Sequence, residues 1–144
     1  MATLWAKTVS FESINLGDHL PIVIKWETVE SIQRFNARVA PDAQEDAEEY
    51  AEAEPALHPS ALLSYVKELL GRSFPAESIT APASHLDLKL TAPVMAEDTI
   101  SLSGKVVSKR ADDTGGLVEC EIVIENHRRE AVGRALAVVA LVNA

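Results

Sequence analysis

Seven carboxylates lie within one short segment of the sequence, from Pro41 to Glu54. Carboxylate oxygens are the ligands that hard cations such as Ca²⁺ prefer, so a metal site is the most specific interpretation of this segment. Its acidic residues are irregularly spaced and no histidine lies among them, which is typical of a solvated helix or loop. Alanine and glutamate favour a helix that is exposed on most faces. We therefore expect an acidic, solvated segment without a bound metal.

The other reactive side chains are isolated from one another in the sequence. Cys120 is the only cysteine and lies on the apolar side of an alternating pattern, so we expect a small core residue and not a nucleophile. A lone cysteine excludes an internal disulfide and fits a reducing compartment. His19, His85 and His127 occupy predicted surface or turn positions.

The elements that must position a site are organised around the stretch from Leu57 to Gly71. Its apolar residues recur at helical spacing over most of the circumference, namely Leu62, Leu63, Val66, Leu69 and Leu70. Pro59 is tolerated in a first turn, and Gly71 is expected to end the helix. A short helix this apolar needs neighbours on most sides. The spacing therefore predicts a buried central helix at about Pro59–Leu70.

Two elements are predicted before the central helix. Residues 22–26 form a β-branched strand pattern, and Thr28 is a suitable N-cap for a one-faced helix that ends before Pro41. After the central helix, residues 72–84 are rich in proline and serine and are expected to form a loop.

Four strands are predicted in the rest of the chain. Three of them alternate apolar and polar residues, beginning at Leu86, Ile100 and Val118, and hairpin turns are expected at residues 112–116 and 126–130. The last, from Ala131 to Val142, is apolar on both faces. This order predicts one α+β domain over residues 1–144, with a curved antiparallel sheet around the central helix. A dimer would cover the sheet's remaining apolar surface.

Composition limits the class of partner. Apolar residues make up 47% of the chain and charged residues 24%, which is ordinary for a soluble globular protein. The formal net charge of −9 argues against nucleic acid or an acidic membrane surface as the main partner. No apolar run approaches the roughly 20 residues that span a bilayer, and the N-terminus lacks a signal-peptide pattern, so we expect a cytoplasmic protein.

Four segments resemble, in their order and spacing, the MaoC-like dehydratases and (R)-specific enoyl-CoA hydratases, which have the hot-dog fold. They are FESINLGDHLP, WETVESIQRFN, LDLKLTAPVMAEDTI and VECEIVIENHRREAVGRALAVVAL, and they span nearly the whole chain. The third has Glu97 where that family usually has glycine. The resemblance implies a homodimer or heterodimer of hot-dog chains whose sheets join edge to edge. It also implies an acyl-thioester tunnel, for coenzyme A or an acyl-carrier protein, and reversible hydration of a trans-2-enoyl thioester without a cofactor.

The catalytic motif departs from the family pattern. Hydratases of the family carry D-x-N-P-x-H after the first helix, and the Asp and His hold one water between an acceptor and a donor. Asp42 matches the family Asp, but Ala47 stands where the His would be. The resemblance leaves His58 as a substitute imidazole paired with Asp42. The alternative is that His58 caps the central helix.

The thioester contacts that the resemblance implies are also altered. In the family a backbone N–H at the start of the central helix polarises the thioester carbonyl. Pro59 has no N–H, so Ser60 or Ala61 would have to donate, supported by the partial positive charge of the helix N-terminus. Candidates for contacts to the phosphates of a pantetheine-linked nucleotide are Arg72, Lys89, Arg128 and Arg129.

Three functions remain open at this point. The first is an enoyl-thioester hydratase or 3-hydroxyacyl-thioester dehydratase with an altered residue set. The second is a non-catalytic hot-dog subunit whose partner chain supplies the Asp and His. The third is a hot-dog acyl-CoA thioesterase that uses a carboxylate to activate water.

Overall fold

The computed structural model describes residues 2–39, 57–111, 113 and 115–142. These residues form three helices and five strands in the order β1, α1, α2, α3, β2, β3, β4, β5. Their bounds are β1 Val23–Trp26, α1 Val29–Val39, α2 Pro59–Ser73, α3 Ala76–Ile79, β2 His85–Leu90, β3 Thr99–Ala111, β4 Gly115–Asn126 and β5 Ala131–Val142.

The five strands form one antiparallel sheet in the order β1-β3-β4-β5-β2. Alternate side chains of each strand point to the same side of a sheet. On the inner side these side chains pack on α2. On β3 and β4 the buried hydrophobic side chains are the ones that the alternation predicts, namely Ile100, Leu102, Val106, Val118, Cys120, Ile122 and Ile124. The predicted α+β architecture, a curved sheet around one apolar helix, is confirmed.

The central helix α2 is longer than its sequence pattern predicts. Gly71 does not end it: the helix continues to Ser73, and the N–H of Phe74 donates to the carbonyl of Leu70 at 2.8 Å. Phe74 is fully buried, so its burial holds the last turn on the core. Gly71 lies on the exposed side of the helix, where an added Cβ would meet nothing within 4 Å.

The segment between α2 and β2 is only partly a loop. The predicted loop at residues 72–84 was wrong for its first residues, which belong to α2, and for Ala76–Ile79, which form the short helix α3. The Ser84 hydroxyl ties this segment to the sheet, because it accepts from the N–H of Ala140 at 2.8 Å. Thr28 caps α1 as predicted: its hydroxyl accepts from the N–H of Ser31 at 3.0 Å.

Cys120 lies on the inner face of β4 and is fully buried. Burial raises the pKa of its thiol to about 12, with a further contribution from the charge of Glu119. The thiol is therefore protonated at neutral pH and is a poor nucleophile. His19, His85 and His127 are exposed, as predicted.

Candidate functional site

The N-terminus of α2 is built around His58. The residue before it is buried, and its N–H donates to the carbonyl of Val94 at 2.8 Å. His58 itself donates its backbone N–H to Asn36 Oδ1 at 2.8 Å, which ties it to α1. Its ring is half-buried, and Nδ1 accepts from the backbone N–H of Ser60 at 3.2 Å. His58 is therefore the N-cap of the central helix, which was one of the two interpretations of this residue.

The capping bond determines the state of the imidazole. Because Nδ1 accepts a hydrogen bond from a backbone N–H, the proton of the neutral ring resides on Nε2. The Ser60 hydroxyl also lies 2.9 Å from Nδ1. In this tautomer the ring offers Nε2–H as a donor.

Both predicted carbonyl donors already have acceptors within the chain. The Ser60 N–H donates to His58 Nδ1, and the Ala61 N–H donates to the carbonyl of His58 at 3.0 Å. The bond to Nδ1 is long for a backbone N–H. A bound carbonyl at this helix end would therefore compete most easily for the N–H of Ser60.

Asp42 is the predicted partner of His58, and it lies outside the described residues, as does the rest of the acidic segment Asp42–Glu54. Within the described ranges, no group of three or more His, Cys, Asp or Glu side chains is placed to hold a metal ion.

The four predicted phosphate-binding residues lie on three different elements. Arg72 is in the last turn of α2, 3.4 Å from Glu68 Oε1. Lys89 is on the edge strand β2, opposite Arg134 of β5. Arg128 and Arg129 share the β4–β5 turn, where Asp98 and Glu130 lie 3.9 Å and 3.2 Å from the guanidinium of Arg128. The structure therefore groups only these last two arginines on one element.

Sequence reasoning missed a polar network between the edge strand β1 and the middle of α2. Glu27 is only 3% exposed, and its carboxylate accepts from the Tyr65 hydroxyl and, at 2.9 Å, from the Ser31 hydroxyl. Lys25 Nζ lies 2.9 Å from Glu68 Oε2 and 5.1 Å from the centre of the Tyr65 ring. The network links the strand, α1 and the central helix.

The network shifts the pKa of two of its members, Tyr65 and Glu68. Burial, followed by the hydrogen bond to Glu27, raises the pKa of Tyr65 well above its ordinary value of 10.0, so it stays a donor. The hydrogen bond from Lys25 lowers the pKa of Glu68. One sequence signal was available: Lys25 occupies an inward position of the β1 alternation, and an inward charge requires a buried partner.

No protein-family model matches the sequence, and no curated protein matches it. Solved structures do match its fold. The MaoC-like dehydratase from Rhodospirillum rubrum has a TM-score of 0.74 at 18% identity, covering 95% of this chain and 99% of that one. The chain has the hot-dog fold. The monoamine oxidase regulatory protein from Archaeoglobus fulgidus matches with a TM-score of 0.73 at 23% identity, over 99% and 97% of the two chains.

A third neighbour is the (R)-hydratase from A. caviae involved in PHA biosynthesis, with a TM-score of 0.65 at 21% identity over 90% of this chain and 98% of that one. At these identities the comparisons establish the hot-dog fold of the chain, which the resemblance to the MaoC-like family implies. Among the described residues no helix is long and apolar enough to cross a membrane.

Proposed function

We propose that this hot-dog chain binds acyl thioesters and belongs to the MaoC-like hydratases, with reversible hydration of a trans-2-enoyl thioester as its reaction. The observation that carries the proposal is the buried helix α2 in the concave sheet, a fold shared over nearly the whole length with a MaoC-like dehydratase and an (R)-hydratase. A more distant neighbour from Streptococcus mutans, with a TM-score of 0.54, has acetyl CoA bound. The four segments that resemble the family agree with this assignment, although the catalytic motif has Ala47 in place of its His.

Pairing with a second hot-dog chain would complete the thioester tunnel. β2 hydrogen bonds to β5 on one side, and no other strand of the described residues pairs with its outer side. An open edge of this kind accepts another strand. One side of α2 is exposed along Ser64, Lys67 and Gly71. The ChsH1–ChsH2 complex of Mycobacterium tuberculosis, a neighbour with a TM-score of 0.62, shows that the fold occurs in two-chain complexes.

The proposed chemistry divides the proton transfers between two groups. Asp42 accepts a proton from the water as its oxygen bonds to Cβ of the enoyl group, and His58, protonated on both ring nitrogens when substrate is bound, donates its Nε2 proton to Cα and is left as a neutral imidazole. Return of the proton from Asp42 to His58 restores both groups. Negative charge that develops on the thioester oxygen is stabilised by the N–H of Ser60, released from His58 Nδ1, and by the positive end of the α2 dipole.

The test follows the absorbance of the enoyl group of crotonyl-CoA. The capping role of His58 requires a matched pair of variants, because loss of the cap alone lowers stability. His58→Asn keeps a good N-cap side chain but has no imidazole, and His58→Ala loses both. If His58 is the proton donor, both variants lose about 10²–10⁴-fold in rate, while only His58→Ala loses about 1 kcal/mol of stability. Full activity of His58→Asn would exclude the imidazole from catalysis.

A second candidate, a non-catalytic subunit, is favoured by the engagement of His58 in the helix cap. It predicts that crotonyl-CoA binds, as measured by calorimetry, but keeps its absorbance until a catalytic hot-dog partner is added. Thiol release without enoyl loss would indicate a thioesterase instead. An active chain whose rate survives Asp42→Ala would exclude Asp42 as an essential group.

A further inference from the structure

The three residues His58, Pro59 and Ser60 fix the backbone at the start of α2. A residue before proline is restricted to extended backbone, and His58 has a φ of −62° and a ψ of 135°. The ring of Pro59 holds its own φ at about −65°. Asn36 Oδ1, on α1, accepts from the backbone N–H of His58 at 2.8 Å. The backbone on both sides of the imidazole is therefore set, and only the side-chain torsions of His58 remain to be fixed.

Ser60 makes two contacts to the same nitrogen of this ring. Its backbone N–H donates to His58 Nδ1 at 3.2 Å, and its hydroxyl oxygen lies 2.9 Å from the same atom. The helix cap requires only the first contact, since a cap serves to satisfy a free backbone N–H. The hydroxyl contact is an addition to the cap. Because the imidazole is rigid, two contacts at Nδ1 also fix where Nε2 points.

The two contacts respond differently to a proton on Nδ1. The backbone N–H of Ser60 can only donate, so it loses its acceptor when Nδ1 is protonated. A hydroxyl both donates and accepts, so Ser60 Oγ donates to the neutral ring and accepts from Nδ1–H in the protonated ring. The imidazole therefore keeps one partner in both states, and the N–H of Ser60 is released only in the protonated state.

We propose that Ser60 is a positioning residue whose hydroxyl holds the imidazole of His58 in one orientation in both of its protonation states. This role rests on the proposed proton transfer from His58 and extends it. During the transfer Nε2 loses and regains its proton, while Nδ1 keeps its own. The Ser60 hydroxyl accepts from Nδ1–H throughout, and the Ser60 N–H is free to donate to the thioester oxygen. One residue thus directs the proton donor and supplies the carbonyl donor.

The first test does not depend on activity. In NMR of the full chain, at a pH at which the ring is protonated and the chain is folded, the Nδ1–H proton of His58 should be protected from exchange and give a resonance that His58→Asn lacks. Ser60→Ala should lose this resonance, because a backbone N–H cannot accept, and Ser60→Thr should keep it. The matched control is Ser64→Ala, whose lost hydroxyl contacts only the carbonyl of Ser60 at 3.2 Å, and it should also keep the resonance. A resonance that survives Ser60→Ala, or none in the wild type, would overturn the proposal.

The second test measures hydration of crotonyl-CoA. Ser60→Ala keeps the backbone N–H, so KM should stay the same, whereas the misdirected ring should lower kcat by about 10- to 100-fold. Ser60→Thr should restore most of the lost rate. Alanine is a better helix former than serine, so the melting temperature of Ser60→Ala should not fall, which separates loss of orientation from loss of structure.

The two tests separate failure of this role from failure of the proposed reaction. An unchanged kcat in Ser60→Ala would refute the role of the hydroxyl while leaving the hydration reaction in place. A wild-type chain that does not hydrate crotonyl-CoA would refute the reaction, and the Nδ1–H resonance would then decide by itself whether Ser60 holds the ring.

Discussion

Glu97 is held in a backbone conformation that suits glycine, and its replacement by glycine should stabilise the fold. Its φ is 70°, in the left-handed region, although the residue has a Cβ. The surrounding turn fixes this conformation. The Glu97 N–H donates to the carbonyl of Glu27 at 2.6 Å, and the N–H of Met95 donates to Asp98 Oδ2 at 2.9 Å. The side chain of Glu97 is exposed, so its removal leaves no cavity.

The size of the effect follows from two opposing terms. A non-glycine residue in the left-handed region costs about 1–2 kcal/mol. Replacement by glycine relieves this strain, but about 0.4–1 kcal/mol of the gain is offset because glycine has more conformational freedom in the unfolded chain. The net gain for Glu97→Gly is therefore about 0.5–1 kcal/mol, a rise in Tm of roughly 1–4 °C for a chain of this size.

Thermal unfolding followed by circular dichroism measures this gain. Glu97→Ala removes the same carboxylate from an acidic protein but keeps a Cβ, so it should show no comparable rise. Glu97→Asn should fall between the two, since asparagine tolerates the left-handed region. Equal rises for Gly and Ala would show that charge repulsion, and not the backbone, limits stability here.

Three further predictions concern stability and binding. Gly71→Ala should stabilise α2 by up to about 1 kcal/mol, because no atom lies within 4 Å of an added Cβ. Gly116→Ala should lower Tm sharply in the same thermal unfolding experiment, because its Cβ would overlap the Phe11 ring and the Arg110 carbonyl oxygen. Tyr65→Phe should lower the free energy of unfolding by about 1–3 kcal/mol in denaturant titrations, because buried Glu27 loses a donor. Folding raises the pKa of Tyr65, so the stability that its ionisable hydroxyl contributes is complete below the ordinary pKa of 10.0 and is lost as pH rises above it. The Tyr65→Phe variant should not show this loss of stability at high pH. Arg129 has a φ of 61°, so Arg129→Gly should raise Tm. If the guanidinium contacts a phosphate, calorimetry should also show about two- to fivefold weaker binding of crotonyl-CoA to this variant. Unchanged affinity would remove Arg129 from the proposed ligand contacts.

The fold follows from local patterns because its strands alternate strictly and its helix is apolar on most sides. β3 and β4 bury the residues that a period of two selects. The error at Gly71 has a physical reason: nothing local distinguishes an exposed helical glycine from a terminal one, and the buried side chain of Phe74 decides where the helix ends. The same long-range packing is the reason that α3 was missed.

The candidate site is less accessible to sequence reasoning, since its key contacts join distant residues. The capping role of His58 is local, two residues from Ser60, and was among the predicted alternatives. The contact between Glu27 and Tyr65 spans 38 positions. It depends on how the central helix lies against β1, which no local periodicity encodes.

Because Cys120 is buried, the folded chain should not react with thiol reagents. It is the single sulfhydryl of the protein, and the sheet keeps it fully covered and protonated. A chromogenic disulfide added to a native sample would therefore respond to coenzyme A set free from a thioester and not to the protein. With no ligand present, the same reagent would react only with molecules in which unfolding has exposed Cys120. Its rate of reaction with the wild-type chain would therefore report unfolding.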